Sequence, residues 1–179
     1  MTRPDRAPLS LTIGAATTPL GDLLLVADID GKLRAAEFSD REARLHLLLD
    51  RRLGKGGYRL AAGAVPPGVA TALDAYFAGD VASIDRIEVA MAGTAFQERV
   101  WRGLRAIRPG TTRSYGALAG ELGLPRSARA VGHANGANPF EIVVPCHRLV
   151  ATSGALTGYA GGLDRKRWLL DHEARHAPH

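Results

Sequence analysis

The sequence predicts an α/β (α+β) protein: a small N-terminal antiparallel-sheet domain with helices, followed by a mainly helical C-terminal domain containing a helix-turn-helix and the chain's single cysteine. Three observations predict it. Short apolar runs broken by turn residues fill the first forty positions. Apolar residues at helical spacing dominate from position 94 onward. Charge is also divided between the two parts, with 11 Lys/Arg against 12 Asp/Glu in residues 1–93 and 12 against six in residues 94–179. A length of 179 residues suits one domain or a small domain joined to a larger one. The expected segments are 1–10 and 175–179 as flexible ends, 11–92 as the first domain and 93–174 as the second.

The first domain begins with three expected strands, at Leu11-Thr12-Ile13, Gly21 to Ala27 and Lys32 to Phe38. Thr18-Pro19-Leu20-Gly21 and Asp28-Ile29-Asp30-Gly31 separate them as turns. Ser39 is the expected N-cap of a helix over 40–52, with Leu45, Leu48 and Leu49 on one face and Gly54-Lys55-Gly56-Gly57 ending it. A second helix is expected over 67–78, closed by Gly79-Asp80, and a strand near 86–90.

In the second domain Thr94 caps a helix whose Phe96, Val100, Trp101, Leu104 and Ile107 form a core stripe, stopped at Pro109-Gly110. Ser114 caps a short helix over 115–122. The turn Gly123-Leu124-Pro125-Arg126 then leads to a helix near 127–136, and the pair fits a helix-turn-helix. The later helix, containing Ala128, Arg129, Ala130, Gly132 and Gly136, is unusually smooth. Its two interior glycines each cost about 1 kcal/mol of helix stability relative to alanine. Two readings fit: Arg129 projecting from a surface that enters a nucleic-acid groove, or close helix packing with Arg129 solvated. The final helix is expected over 163–172.

Composition excludes several classes. A content of 46% hydrophobic and 23% charged residues supports a core and rules out global disorder. No apolar run approaches the ~20 residues of a membrane helix, and Met1-Thr2-Arg3-Pro4-Asp5-Arg6 lacks the apolar stretch of a signal peptide. The expectation is a cytoplasmic protein without membrane contact. One cysteine permits neither a disulfide scaffold nor a Cys-based zinc site, so no metal and no cofactor are expected. The basic second half suits an anionic partner, and nucleic acid is the commonest large one.

Asn138-Pro139 ends the smooth helix. The apolar run Ile142-Val143-Val144 and then Pro145-Cys146-His147-Arg148 follow. Lone cytosolic cysteines are ordinarily inert and buried. Cys146, however, follows a rigid proline, neighbours two cations that would favour its thiolate, and adjoins the helix-turn-helix. A relay from Cys146 to His147 through one water suits adjacent residues. Glu173 is the candidate acid that fixes the histidine tautomer. Four glycines within 153–162 make a loop whose backbone can approach a ligand, with Tyr159 as its only aromatic.

Asn138-Pro139, Ile142-Val143-Val144-Pro145-Cys146-His147-Arg148, Ser153-Gly154, Gly158-Tyr159, Gly161-Gly162 and Trp168-Leu169-Leu170 together resemble the O6-alkylguanine-DNA alkyltransferases. The likeness is strong from 94 onward and loose before. It implies double-stranded DNA containing O6-alkylguanine as partner, minor-groove binding, and no obligate protein partner. It also implies base flipping and irreversible, single-turnover transfer of the alkyl group to Cys146, with O4-alkylthymine as a further substrate.

The same resemblance implies Cys146, His147, Glu173 and Tyr115 as the catalytic set, and Arg129 as the residue that fills the vacated base stack. Asn138 would link the recognition helix to the active site. Tyr159 would line the base pocket, and the backbones of Cys146, Leu149 and Ala160 would bind the base. Ala128, Ala130, Gly132, Ser114 and Thr152 complete the expected DNA-contacting set. Ala160 stands where some relatives carry serine. The alternative reading is a non-catalytic lesion-binding or regulatory helix-turn-helix module. A cysteine hydrolase has no matching signature here.

Overall fold

The computed structural model describes residues 7–177. Strands β1 (Leu9–Thr18), β2 (Gly21–Asp28) and β3 (Leu33–Phe38) form the expected antiparallel meander. The sheet as a whole is mixed rather than antiparallel. A fourth strand, β4 (Tyr58–Ala62), pairs in parallel with β1 and gives the order β3-β2-β1-β4. β4 escapes sequence reading because it is a five-residue edge strand of largely exposed residues with no apolar alternation.

Between β3 and β4 runs α1 (Glu42–Leu53). Ser39 does not cap it: residues 39–41 form a separate 3₁₀ turn, and Arg41 occupies the cap position without a side-chain bond. Leu45 and Leu49 of α1 pack with Leu11, Val26 and Ala35 on one face of the sheet. On the other face Leu23, Leu25, Ala36 and Phe38 meet α2 (Pro67–Phe77) and the C-terminal helices in one continuous core. The strand expected near 86–90 is absent as such, because residues 83–86 form a 3₁₀ turn and Val89 makes a single bridge to Leu33.

The C-terminal half begins with α3 (Ala95–Ala106), closed by a full capping box in which Thr94 and Gln97 satisfy each other's backbone N–H. After β5 (Arg113–Ser114) come α4 (Tyr115–Glu121), capped by the Ser114 hydroxyl, and α5 (Ala128–Gly136). Buried Trp101 donates its indole N–H to the Ala134 carbonyl at 2.9 Å, fixing α5 against α3. β6 (Leu149–Val150) pairs in parallel with β5. The last helix, α6 (Leu163–His176), runs one turn past its expected end. The expected flexible ends therefore need correction: Leu9 and Ser10 belong to β1, and Arg175 and His176 to α6, while residues 1–6 and 178–179 lie outside the described residues.

No described helix is long and apolar enough to cross a membrane. Edge strand β3 positions the functional region. Ala36 bonds Pro139 and Glu141 through its backbone at 2.8 and 2.9 Å, so the segment leading to Cys146 is docked on the sheet edge.

Candidate active site

Two successive tight turns present Cys146. The Val143 N–H bonds the Glu141 carbonyl at 2.8 Å around Ile142, whose φ is +69°. That is a γ-turn of the rarer, strained form, and the conformation is unfavourable for a β-branched residue. The Cys146 N–H then bonds the Val144 carbonyl at 2.7 Å around Pro145, whose φ of −77° and ψ of 67° are those of an inverse γ-turn. Asn138 secures the segment. Its amide donates to the Val144 carbonyl at 2.9 Å, and its oxygen accepts the Phe140 N–H at 3.1 Å. Strain of this kind persists only where surrounding bonds over-determine it.

Cys146 lines a cavity of about 380 Å³ together with Tyr115, Gly132, Asn135, Glu141, Tyr159 and Ala160. In this lining Asn135 Oδ1, both oxygens of Glu141 and the Tyr159 hydroxyl are buried without a hydrogen-bond partner. Buried polar groups are nearly always satisfied, so three unpartnered groups on one cavity mark a site built for a ligand.

Behind Cys146 the bonding is complete. His147 Nε2 donates to Glu173 Oε1 at 2.8 Å, which leaves Nδ1 as the free acceptor, without a protein partner. Glu173 also accepts two bonds from Arg148 at 2.9 Å, one from the Tyr76 hydroxyl at 2.8 Å and one from the Gly110 N–H at 3.3 Å. Burial alone would raise the Glu173 carboxyl, but His147 and Arg148 hold it well below the usual carboxylate range. Burial lowers the His147 pKa, so the imidazole is a neutral base at pH 7.

The expectation that His147 and Arg148 would favour the Cys146 thiolate needs correction. Both side chains are committed to Glu173. Burial, and secondarily the charge of Glu141, push the Cys146 thiol well above its ordinary value.

Tyr115, at the start of α4, donates a long 3.4 Å bond to the Thr157 carbonyl. Leu149 is fully buried and does not line the cavity. Its carbonyl accepts the Lys166 ammonium, which also bonds the Thr157 carbonyl at 2.6 Å. Gly161 is required where it stands, because a Cβ there would lie 2.6 Å from the Tyr159 ring.

A second, more open groove runs between α1 and α5, lined by Arg44, Arg51, Ala128, Arg129, Gly132 and His133. It joins the cavity at Tyr115, Gly132 and Gly136. Arg129 and Ala130 are exposed on α5, and Thr152 is exposed in the loop after β6. Internal packing does not explain the glycines of α5: a Cβ at Gly136 meets nothing within 4 Å, and one at Gly132 only the Tyr115 ring at 3.8 Å.

Sequence reasoning missed Glu141, Lys166 and Arg44. Arg44 joins Glu37 to the carbonyls of Gly136 and Asn138 at 2.9 and 3.1 Å and stands 3.8 Å from Glu141. The described residues contain no group of three potential metal ligands.

Residues 95–175 match the family model described as 6-O-methylguanine DNA methyltransferase, DNA binding domain. A methylated-DNA–protein-cysteine methyltransferase of Salmonella typhimurium is 51% identical over 156 residues, covering 87% of this chain and 91% of the relative. The chain belongs to the methylated-DNA–protein-cysteine methyltransferase family. Among solved structures of such methyltransferases, the Mycobacterium tuberculosis O6-methylguanine methyltransferase superposes with a TM-score of 0.74 at 39% identity, covering 94% of this chain and 95% of that one. The same mycobacterial protein in complex with DNA gives 0.74 at 38% identity, covering 95% and 96%. The mixed sheet and the helical second half are thus shared with solved structures of this methyltransferase family.

Proposed function

We infer that the protein repairs DNA by moving the alkyl group of O6-alkylguanine onto its own Cys146, once per molecule. The observation that carries this reading is the cavity at Cys146, with its unpartnered polar lining, opening beside the exposed Arg129 on the smooth face of α5. The Salmonella relative is named for methylated DNA, and the mycobacterial neighbour has been solved with DNA bound.

In this reading α5 lies in the minor groove, where Gly132 and Gly136 allow close approach and Arg129 enters the stack as the damaged base swings out. Unstacking costs a few kcal/mol, least for a damaged base. Seating the base in the cavity completes hydrogen bonds that the empty lining lacks. Ser114, Ala128, Ala130 and Thr152 border the same duplex.

The Cys146 thiol proton passes through one bridging water to His147 Nδ1. Glu173 stabilises the imidazolium that results, much as a buried carboxylate does in hydrolytic triads. The sulfur–carbon bond forms as the carbon–O6 bond breaks, and the electron pair leaves on guanine. Tyr115 supplies a proton to the guanine, and the proton taken from the thiol restores it. A thioether has no leaving group that water can displace at neutral pH, so the protein is consumed.

The test is intact mass after incubation with a duplex containing one O6-methylguanine, beside a Cys146→Ala control. A gain of one methyl group on the native chain alone is expected. Unchanged mass with retained lesion binding would make the protein a binding module instead.

A further inference from the structure

We propose that Glu141 is a specificity-determining residue of alkyl transfer, whose carboxyl hydrogen-bonds O6-alkyl groups bearing a hydroxyl, such as 2-hydroxyethyl, in preference to hydrocarbon groups of equal size. The proposal rests on the function inferred above and concerns the same cavity.

The side chain of Glu141 is 0% exposed and lines the cavity with Cys146, yet neither of its oxygens has a hydrogen-bond partner. Its backbone cannot easily turn away. The Glu141 N–H is bonded to Ala36 and its carbonyl to Val143, on either side of the strained Ile142. The nearest cation only partly offsets it. Arg44, 3.8 Å from Oε1, spends its bonds on Glu37 and on the carbonyls of Gly136 and Asn138. The neighbouring Tyr159 hydroxyl is near enough to act on the carboxyl, but the two do not form a well-aligned hydrogen bond and both stay unsatisfied. A buried carboxyl left in this state is tolerated in a fold where a ligand completes it.

The carbon that Cys146 attacks must touch the sulfur, so any atoms beyond it extend toward the other walls. Those walls are glycine, alanine and the Tyr115 and Tyr159 side chains, except at Asn135 and Glu141, and Glu141 alone among them carries a carboxyl. Burial brings the Glu141 carboxyl to about 7, so at neutral pH it is divided between acid and carboxylate. An alcohol serves both forms, accepting from the acid or donating to the carboxylate. A propyl group serves neither and leaves the carboxyl without a partner. Sites built around a hydrogen bond to a substrate hydroxyl discriminate strongly against analogues that lack it.

The chemistry is unchanged. Sulfur bonds the methylene carbon as its bond to O6 breaks, guanine takes the electron pair and finally the thiol proton, and the hydroxyl remains intact on the S-(2-hydroxyethyl)cysteine.

The experiment compares single-turnover rates on duplexes carrying one O6-methyl-, O6-(2-hydroxyethyl)- or O6-n-propylguanine, for the native protein, Glu141→Met and Glu141→Gln. The hydroxyethyl-to-propyl rate ratio is expected to fall about tenfold or more in Glu141→Met. In Glu141→Gln, which keeps a donor and an acceptor, most of the ratio should survive. Glu141→Ala reads the same ratio if the methionine variant does not fold. A ratio equal in the native and apolar variants overturns the proposal. Methyl transfer separates the two levels: if the native chain transfers methyl while the ratio stays fixed, only the role of Glu141 falls. If no group is transferred, the inferred function falls with it.

Discussion

Two fully buried glutamates flank Cys146, and they are opposites. Glu173 accepts five hydrogen bonds from His147, Arg148, Tyr76 and Gly110 and is held far on the ionised side. Glu141 has no well-formed hydrogen bond, and burial pushes it up to about 7. Burial is common to both, so partners decide the protonation state, as expected when desolvation and hydrogen bonding compete. One side of the cysteine is finished by the fold. The other is left open to whatever enters the cavity.

The strongest way to break this contrast is to remove the finished side. Glu173→Ala strands a buried guanidinium and imidazole and should destabilise the protein by about 3–5 kcal/mol, read from urea unfolding midpoints. A loss under about 1 kcal/mol would mean that the network is not ionic in the folded state. Glu141→Gln should act in the opposite direction.

A carboxyl raised on folding supports stability fully below its unfolded pKa, near 4.5, and that support is lost as pH rises to about 7. The native fold should therefore weaken between pH 5 and pH 8 by up to about 3 kcal/mol more than Glu141→Gln. Parallel pH profiles would show that Glu141 carries no buried charge.

Asn138→Ala leaves the buried Phe140 N–H unpaired and strips the Val144 carbonyl of one of its two bonds, and should cost about 1–3 kcal/mol. It should also slow alkyl transfer, because the turns that present Cys146 lose their brace. The smallest effect on stability belongs to exposed Arg129. Its change to alanine should stay within about 0.5 kcal/mol by thermal melting while weakening binding to a lesion-containing duplex. Unaltered binding would argue against insertion into the stack. For the native chain, DNA affinity should fall steeply with added salt.

The finished side of the site was legible in the sequence and the open side was not. Cys146, His147 and Glu173 are chemically conspicuous residues in a chain with one cysteine and few acids after position 93. Caps at Thr94 and Ser114, with helical spacing behind them, likewise located α3 and α4. Glu141 stands at the head of an apolar run, where nothing local says that its carboxyl faces a cavity. Arg44 reaches across 92 and 94 positions to the end of α5. Lys166 reads as a surface lysine until its bonds to Leu149 and Thr157 are seen. Pairings set by tertiary structure also hid β4 and the two-residue β5–β6 ladder. The thiolate expectation failed for a related reason: sequence neighbours of Cys146 turn away from it to a partner 25 and 26 positions downstream.

The carboxylate of Glu173 is also a clock. Its partners come from Tyr76, Gly110, His147 and Arg148, the first of them 97 positions earlier in the chain. A chain emerging from the ribosome N-terminus first can bury its sheet and fold its early helices, but His147 has no anchored tautomer until α6 docks. Proton transfer from Cys146 to an oriented His147 therefore waits for the last helix of the chain. The complete catalytic relay is thus a property of the finished fold, set by its final element rather than by the segment that carries the cysteine.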